Sequence, residues 1–202
     1  DPILTREFEE DKGGVIFIMA DRSLSTQFGL NGFLSRDIVA RALATIGFSG
    51  VFFQDSTGLF IFDGQYRYAQ VQPRLGRNHV VNCINRYSSS ELVSQADGFM
   101  GLAKRAVANL RRMSIVPVIS DFLFPNISDF VEALVAVKLR HDVFVVVIDC
   151  SFLFDLPEVS DGWVNCVDAE SGRSILLSRG DFKKMSREVS DYQDQSIKMM
   201  QG

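Results

Sequence analysis

Residues Val15 to Ala20 form an unbroken apolar run, VIFIMA, that gives way at once to Asp21, Ser23 and Ser25. A strand with no polar residue on either face expects protein above and below it, as in parallel α/β sheets. Three oxygen-bearing side chains then stand at alternate positions where the strand finishes. Open α/β sheets bind their ligands at the carboxyl ends of the strands. One carboxylate and two hydroxyls at that place suit a small hard cation such as Mg²⁺. The same spacing also arises from turn and N-cap residues. A second apolar run, Ile115 to Ile119, likewise ends in Ser120 and Asp121. If the two strands are parallel neighbours, both aspartates leave the sheet at one edge.

The rest of the chain supports this α/β reading. A helix is expected from about Phe33 to Phe48, with Leu34, Ile38, Ala42 and Ile46 on one face and Gly47 and Gly50 marking its end. Two strands, Gly58 to Phe62 and Tyr66 to Val71, are joined by Asp63-Gly64, a strong hairpin signal, and Pro73 is expected to close the pair. Asn78 opens a helix to Tyr87, Ser88 to Ser90 reads as a loop, and a helix from about Gly98 to Arg112 leads into the second aspartate strand. Asn126 or Ser128 caps a helix to Arg140 with Phe130, Leu134 and Val137 inward. Val143 to Ile148 is a third fully apolar strand. Such alternation predicts a doubly wound, mainly parallel sheet with an antiparallel edge hairpin. Trp163 to Val167 and Ser174 to Leu177 read as a hairpin across Ser171-Gly172. A helix from about Asp181 to Met200, with Phe182, Met185, Val189 and Tyr192 on one face, completes a small C-terminal appendage over residues 151–202. Asp1 to Gly14, charged and ending in Gly-Gly, reads as an edge strand or arm. With no repeat or linker, residues 1–202 are expected to form one domain.

The composition, 47% hydrophobic and 23% charged in 202 residues, is that of a folded globular chain, and seventeen Phe predict an aromatic core. The net charge of −4 offers no overall attraction to nucleic acid or to an anionic membrane. Cys83, Cys150 and Cys166 are odd in number and lie in apolar settings, so reduced thiols are expected rather than disulfides or zinc ligands. No apolar run approaches the ~20 residues that span a bilayer, and no signal peptide is visible. A cytoplasmic location is therefore expected, with no membrane segment in this chain. The chain opens at Asp1 without a methionine, as an excised fragment would, and an anchor or another domain could be joined to it.

DRSLS followed by ISDFL resembles the metal-ion-dependent adhesion site (MIDAS) of von Willebrand factor A domains. More closely, the chain resembles the bacterial A-domain-like proteins that accompany MoxR-type AAA+ ATPases: REFEEDK, SDFLFP, RHDVFVVV, LPEVSDG and DAESG follow that family's order over about residues 6 to 200. The resemblance implies a metal loop of Asp21, Ser23 and Ser25, with Asp121 joining from the second strand. Its Mg²⁺ would keep one position open for a carboxylate of a protein partner, the ATPase or its client. The family's Thr ligand is missing from SQADGFMGLAK. Asp97 stands nearest its place and Ser94 is close, so either Asp97 substitutes as a ligand, or the site holds metal weakly, or it is vestigial. Asp55 matches an aspartate that the family places before its hairpin, where a loop-cap role serves equally. Arg22 and Gln27 flank the metal loop.

Enzyme signatures are sparse. The chain has no G-x-S-x-G elbow, no phosphate loop of the G-x-x-x-x-G-K-[ST] type and no H-E-x-x-H. His79 and His141 are not placed to suggest a Ser-His-Asp set. A dinucleotide fold would need glycines where this chain has Asp-Arg-Ser-Leu-Ser. Two functions follow: a non-enzymatic interaction module, or a Mg²⁺-dependent phosphoryl-transfer enzyme using Asp21 and Asp121. The enzyme would need a basic residue to hold phosphate, and none adjoins Asp121.

Overall fold

Strand β1 (Val15–Asp21) lies at the middle of the molecule, and the chain crosses to either side of it. The computed structural model describes residues 13–27, 29–30, 33–89, 91–149, 163–167 and 174–201. The readings of residues 1–12, of LPEVSDG and DAESG, of the Ser171-Gly172 turn and of Cys150 fall outside these. After β1 come a 3₁₀ turn (Leu24–Gln27), a small ladder of β2 (Gly29–Leu30) and β3 (Phe33–Leu34), and helix α1 (Ser35–Phe52). Then follow β4 (Ser56–Phe62), β5 (Arg67–Arg74), α2 (Arg77–Ser89), β6 (Ser94–Gln95) and α3 (Gly98–Val107). The chain continues through β7 (Ile115–Ser120), α4 (Ile127–Lys138) and β8 (Asp142–Val147). It ends in β9 (Trp163–Val167), β10 (Ser174–Ser178) and α5 (Arg179–Gln201).

Six strands form one sheet in the order β6-β5-β4-β1-β7-β8. β4, β1, β7 and β8 run parallel, and β5 and β6 add an antiparallel edge. This is the expected doubly wound α/β architecture. β9 and β10 pair antiparallel in a sheet of their own.

The apolar run of β1 is covered on both sides, as its sequence demands. Phe17 and Met19 enter one core with Phe60, Phe62, Phe99, Phe122 and Phe130, against α3 and α4. Ile16, Ile18 and Ala20 enter the other with Val39, Leu43, Cys83 and Tyr87, against α1 and α2. The face of α5 expected to dock does so in part: Tyr192 packs on the first core together with Met200, Phe182 is buried, and Met185 and Val189 are half-buried.

Three expected boundaries move, the first two for reasons of packing. α1 runs through Gly47 and Gly50 because these glycines serve close approach rather than termination. A Cβ on Gly47 would stand 2.7 Å from Val80 Cγ1 of α2, and one on Gly50 2.9 Å from Thr57 Oγ1. Pro73 does not close the hairpin but lies inside β5, at a register shift where Thr57 pairs Arg74 and Leu59 pairs Val71. A bulge is where a strand tolerates a residue without an N–H. Opposite it, Gly58 leaves room for the Phe17 and Pro73 rings, which a Cβ would meet at 2.6 and 2.9 Å. α3 also ends at Val107, five residues before the expected Arg112, as the Leu110 N–H turns back to the Val107 carbonyl.

Candidate functional site

β4 lies on one side of β1 and β7 on the other, so the carboxyl end of β1 is the topological switch point, where α/β sheets bind ligands. Both aspartates emerge there. Asp21 closes β1 and Asp121 follows β7, both buried. One Asp21 oxygen accepts the Ser23 N–H at 2.7 Å, and the other accepts the Ser120 hydroxyl at 2.5 Å. The Ser23 and Ser25 hydroxyls, both half-buried, lie 2.8 Å apart. The loop is held by Thr26, whose N–H and hydroxyl both donate to the Ser23 carbonyl.

The Asp121 side has its own supports. Its carboxylate accepts the Leu123 N–H at 3.1 Å, and the Phe122 N–H donates to Ser120 Oγ at 2.9 Å. Phe122 is buried with φ of +57°, a left-handed backbone that costs a bulky residue about 1–3 kcal/mol. Such strain persists only where neighbours over-determine it, and it falls beside the candidate ligand. From α5, Gln193 Nε2 donates at 2.9 Å to the carbonyls of both Asp121 and Ile148, and the Tyr192 hydroxyl donates to the Phe124 carbonyl. From α2, the Tyr87 hydroxyl donates to the Asp21 carbonyl at 2.7 Å.

Two buried carboxylates this close resist joint ionisation. Burial first, and then the Asp121 charge, push the Asp21 carboxyl up to about 7, against the opposing effect of its bonds to Ser120 and Ser23. A divalent cation relieves both causes, and every donor present is a hard oxygen, so the residues fit Mg²⁺.

The structure thus brings together Asp21, Ser23, Ser25 and Asp121. Asp97 precedes α3 on an exposed turn and makes no side-chain cap bond. Among the described residues, no three or more His, Cys, Asp or Glu side chains group to hold a metal, so Asp97 does not form an acidic triad with that pair. Ser94 pairs with Tyr68 in β6. Arg22 turns its guanidinium to the Tyr87 carbonyl and over the Tyr87 ring, and Gln27 closes the 3₁₀ turn. Asp55 lies at the opposite end of the sheet, where it accepts the Gly14 N–H, a loop-cap role. His141, at that same end, is buried between α4 and β8. Sequence reasoning did not assign Ser120, Tyr87 or Gln193 to the site. Only Ser120 carried a signal, as a hydroxyl beside the second aspartate.

The sheet order and its flanking helices are those of an α/β domain of the von Willebrand factor A-like kind. The chain belongs to the family described as protein of unknown function DUF58, whose model matches residues 1–196. Among curated proteins none matches. Among solved structures, an aerotolerance-related membrane protein from Bacteroides fragilis, in a form with multiple mutations to serine, is 14% identical. Its TM-score is 0.52, covering 90% of this chain and 89% of that one. The conserved hypothetical protein BatB from Bacteroides thetaiotaomicron is also 14% identical, with a TM-score of 0.48 over 94% of this chain and 100% of that one. At such identities the first likeness speaks for the fold alone. Among the described residues no helix is long and apolar enough to cross a membrane.

Proposed function

We propose that this domain is a non-enzymatic, cytoplasmic protein-interaction module that binds its partner through a divalent cation. The observation that carries the reading is the meeting of Asp21, Ser23, Ser25 and Asp121 at the switch point of the sheet. Asp21 and the two serine hydroxyls would hold Mg²⁺, and Asp121 would hold it directly or through water. Asp97 would contribute negative charge from the head of α3. A cation held there would offer a partner carboxylate a place to bind. Ser120 and Gln193 then act as positioning residues, orienting the Asp21 carboxylate and the Asp121 backbone. The resemblance to A-domain-like proteins that accompany MoxR-type AAA+ ATPases supports such an ATPase, or its client, as the partner.

Thermal melts with millimolar Mg²⁺ or Mn²⁺ test the site. A ligand that binds only the folded state stabilises it by about 2.7 kcal/mol at a hundred times its dissociation constant. Asp21→Ala is expected to abolish that response while leaving the protein folded. No response of the wild-type chain at such concentrations overturns the reading. Metal-dependent capture of a purified MoxR-type ATPase, lost in Asp21→Ala, tests the partner.

A further inference from the structure

The end of the sheet opposite Asp21 has a composition of its own. β1, β4, β7 and β8 begin there, α1, α3 and α4 end there, and the antiparallel β5 arrives with Arg74 opposite Thr57. Three of its loops repeat one arrangement, an exposed aliphatic side chain set among cations. They read Arg74-Leu75-Gly76-Arg77 before α2, Arg111-Arg112-Met113 before β7, and Lys138-Leu139-Arg140 before β8. A fourth stretch, at the end of α1, presents Phe52 and Phe53 edge to face with centroids 5.1 Å apart. Leu75 is 64% exposed, Met113 70%, Leu139 81%, Phe52 80% and Phe53 68%. Of the other described large hydrophobics, only Val93 and Leu176 reach such exposure. The net charge of −4 conceals this local excess of cations, in which Asp55 and Asp142 are the acids at the strand starts.

Helix ends explain part of the pattern. A cation at a helix C-terminus is favourable, which accounts for Lys138 in the last turn of α4. It does not account for Arg77, the first residue of α2, where the dipole disfavours a cation, or for Arg74 at the end of a strand. Nor does it explain an apolar tip beside each set of charges. Among the described residues the ion pairs are Arg67–Asp63 and Lys184–Glu188, so none of these edge cations is spent on a carboxylate.

Apolar tips ringed by cations match one kind of surface. Aliphatic and aromatic side chains enter the boundary between headgroups and acyl chains, and flanking Lys and Arg meet anionic phosphates. A nucleic acid would reward the cations alone. We propose that this end of the domain, through Leu75, Met113, Leu139 and the Phe52–Phe53 pair, docks on the surface of a bilayer rich in anionic lipid. Docked so, the domain turns the Asp21 end away from the bilayer. The inference goes beyond the cation-site reading and does not depend on it.

Flotation of the whole chain with vesicles provides the test, using phosphatidylcholine alone or equal parts of phosphatidylcholine and phosphatidylglycerol. Binding is expected to the anionic vesicles only and to weaken with added salt. Replacing Leu75 and Leu139 together by serine is expected to weaken it about tenfold. Arg74→Gln with Arg77→Gln should cost about five-fold for each cation removed. These positions are exposed, so the variants should melt as wild type does. Val93→Ser, remote from this end, should bind normally. Three results overturn the proposal: no binding to anionic vesicles, equal binding to neutral ones, or binding that ignores the serine pair and is competed by duplex DNA.

Discussion

Ser120 donates its hydroxyl proton to the carboxylate of Asp21 across 2.5 Å, tying together the ends of two neighbouring strands that lie 99 residues apart in the chain. The same oxygen accepts the Phe122 N–H, so one small side chain serves the carboxylate and the strained residue beyond it. Ser120→Ala therefore removes two bonds at once and leaves a buried N–H unpaired. Hydrogen bonds to charged groups contribute about 1.5–3 kcal/mol, and a loss of that size should appear in the urea midpoint. Mg²⁺ affinity should fall as well, since Asp21 loses its orientation. Unchanged stability would show that water replaces the hydroxyl.

The raised Asp21 carboxyl gives the stability of the metal-free protein a definite pH dependence. Below the ordinary value of 3.8 both folded and unfolded chains hold the proton. Between there and about 7 only the folded chain holds it, so stability falls as pH rises through this window and then levels. Urea titrations in chelator should show the fall, and Asp21→Asn should flatten it. Saturating Mg²⁺ should offset it at neutral pH. A rise across the window in chelator would contradict the assignment.

Gln193→Ala should lower the thermal midpoint, because two strand-end carbonyls lose their donor together. At about 0.5–1.5 kcal/mol for each bond, the cost is roughly 1–3 kcal/mol. Truncation at Gly180 should cost more, since it also strips Phe182, Tyr192 and Met200 from the core. A midpoint unmoved by truncation would mean that α5 is not docked in solution.

Cys83 is a free, buried thiol, and burial pushes its pKa up to about 11. It should resist a thiol reagent in the native protein and react only on unfolding. Rapid native labelling at this position would show that the α1–α2 side of the core opens readily.

Much of this was legible in the sequence, because the signal and the cause coincide. An apolar run without polar relief implies cover on both faces, and β1 and β7 were readable for that reason, whereas the equally apolar β8 lies at the sheet edge with Phe144 exposed. Asp63-Gly64 marked the hairpin by turn chemistry, and Asp63 does accept the Gln65 and Arg67 N–H groups there. What escaped depends on partners distant in sequence. Gly47 reads as a helix end until Val80 is known to lie against it, and Pro73 reads as a terminator until the bulge opposite Gly58 is seen. Tyr87 and Gln193 sit in ordinary amphipathic patterns, and nothing local says that each will reach the end of a strand. The net charge misled in another way, as a sum cannot show that cations and apolar tips gather at one end of the sheet.

The bonds from Gln193 to Asp121 and Ile148 also bear on how the protein is made. A ribosome delivers the chain from its amino end, and Gln193 emerges 72 residues after Asp121. Until it arrives, β7 and β8 can pair, but the carbonyls of Asp121 and Ile148 just beyond them lack the amide that bridges the two. The candidate site thus matures after the sheet that carries it. A nascent chain stalled before α5 would present the two aspartates without their final alignment.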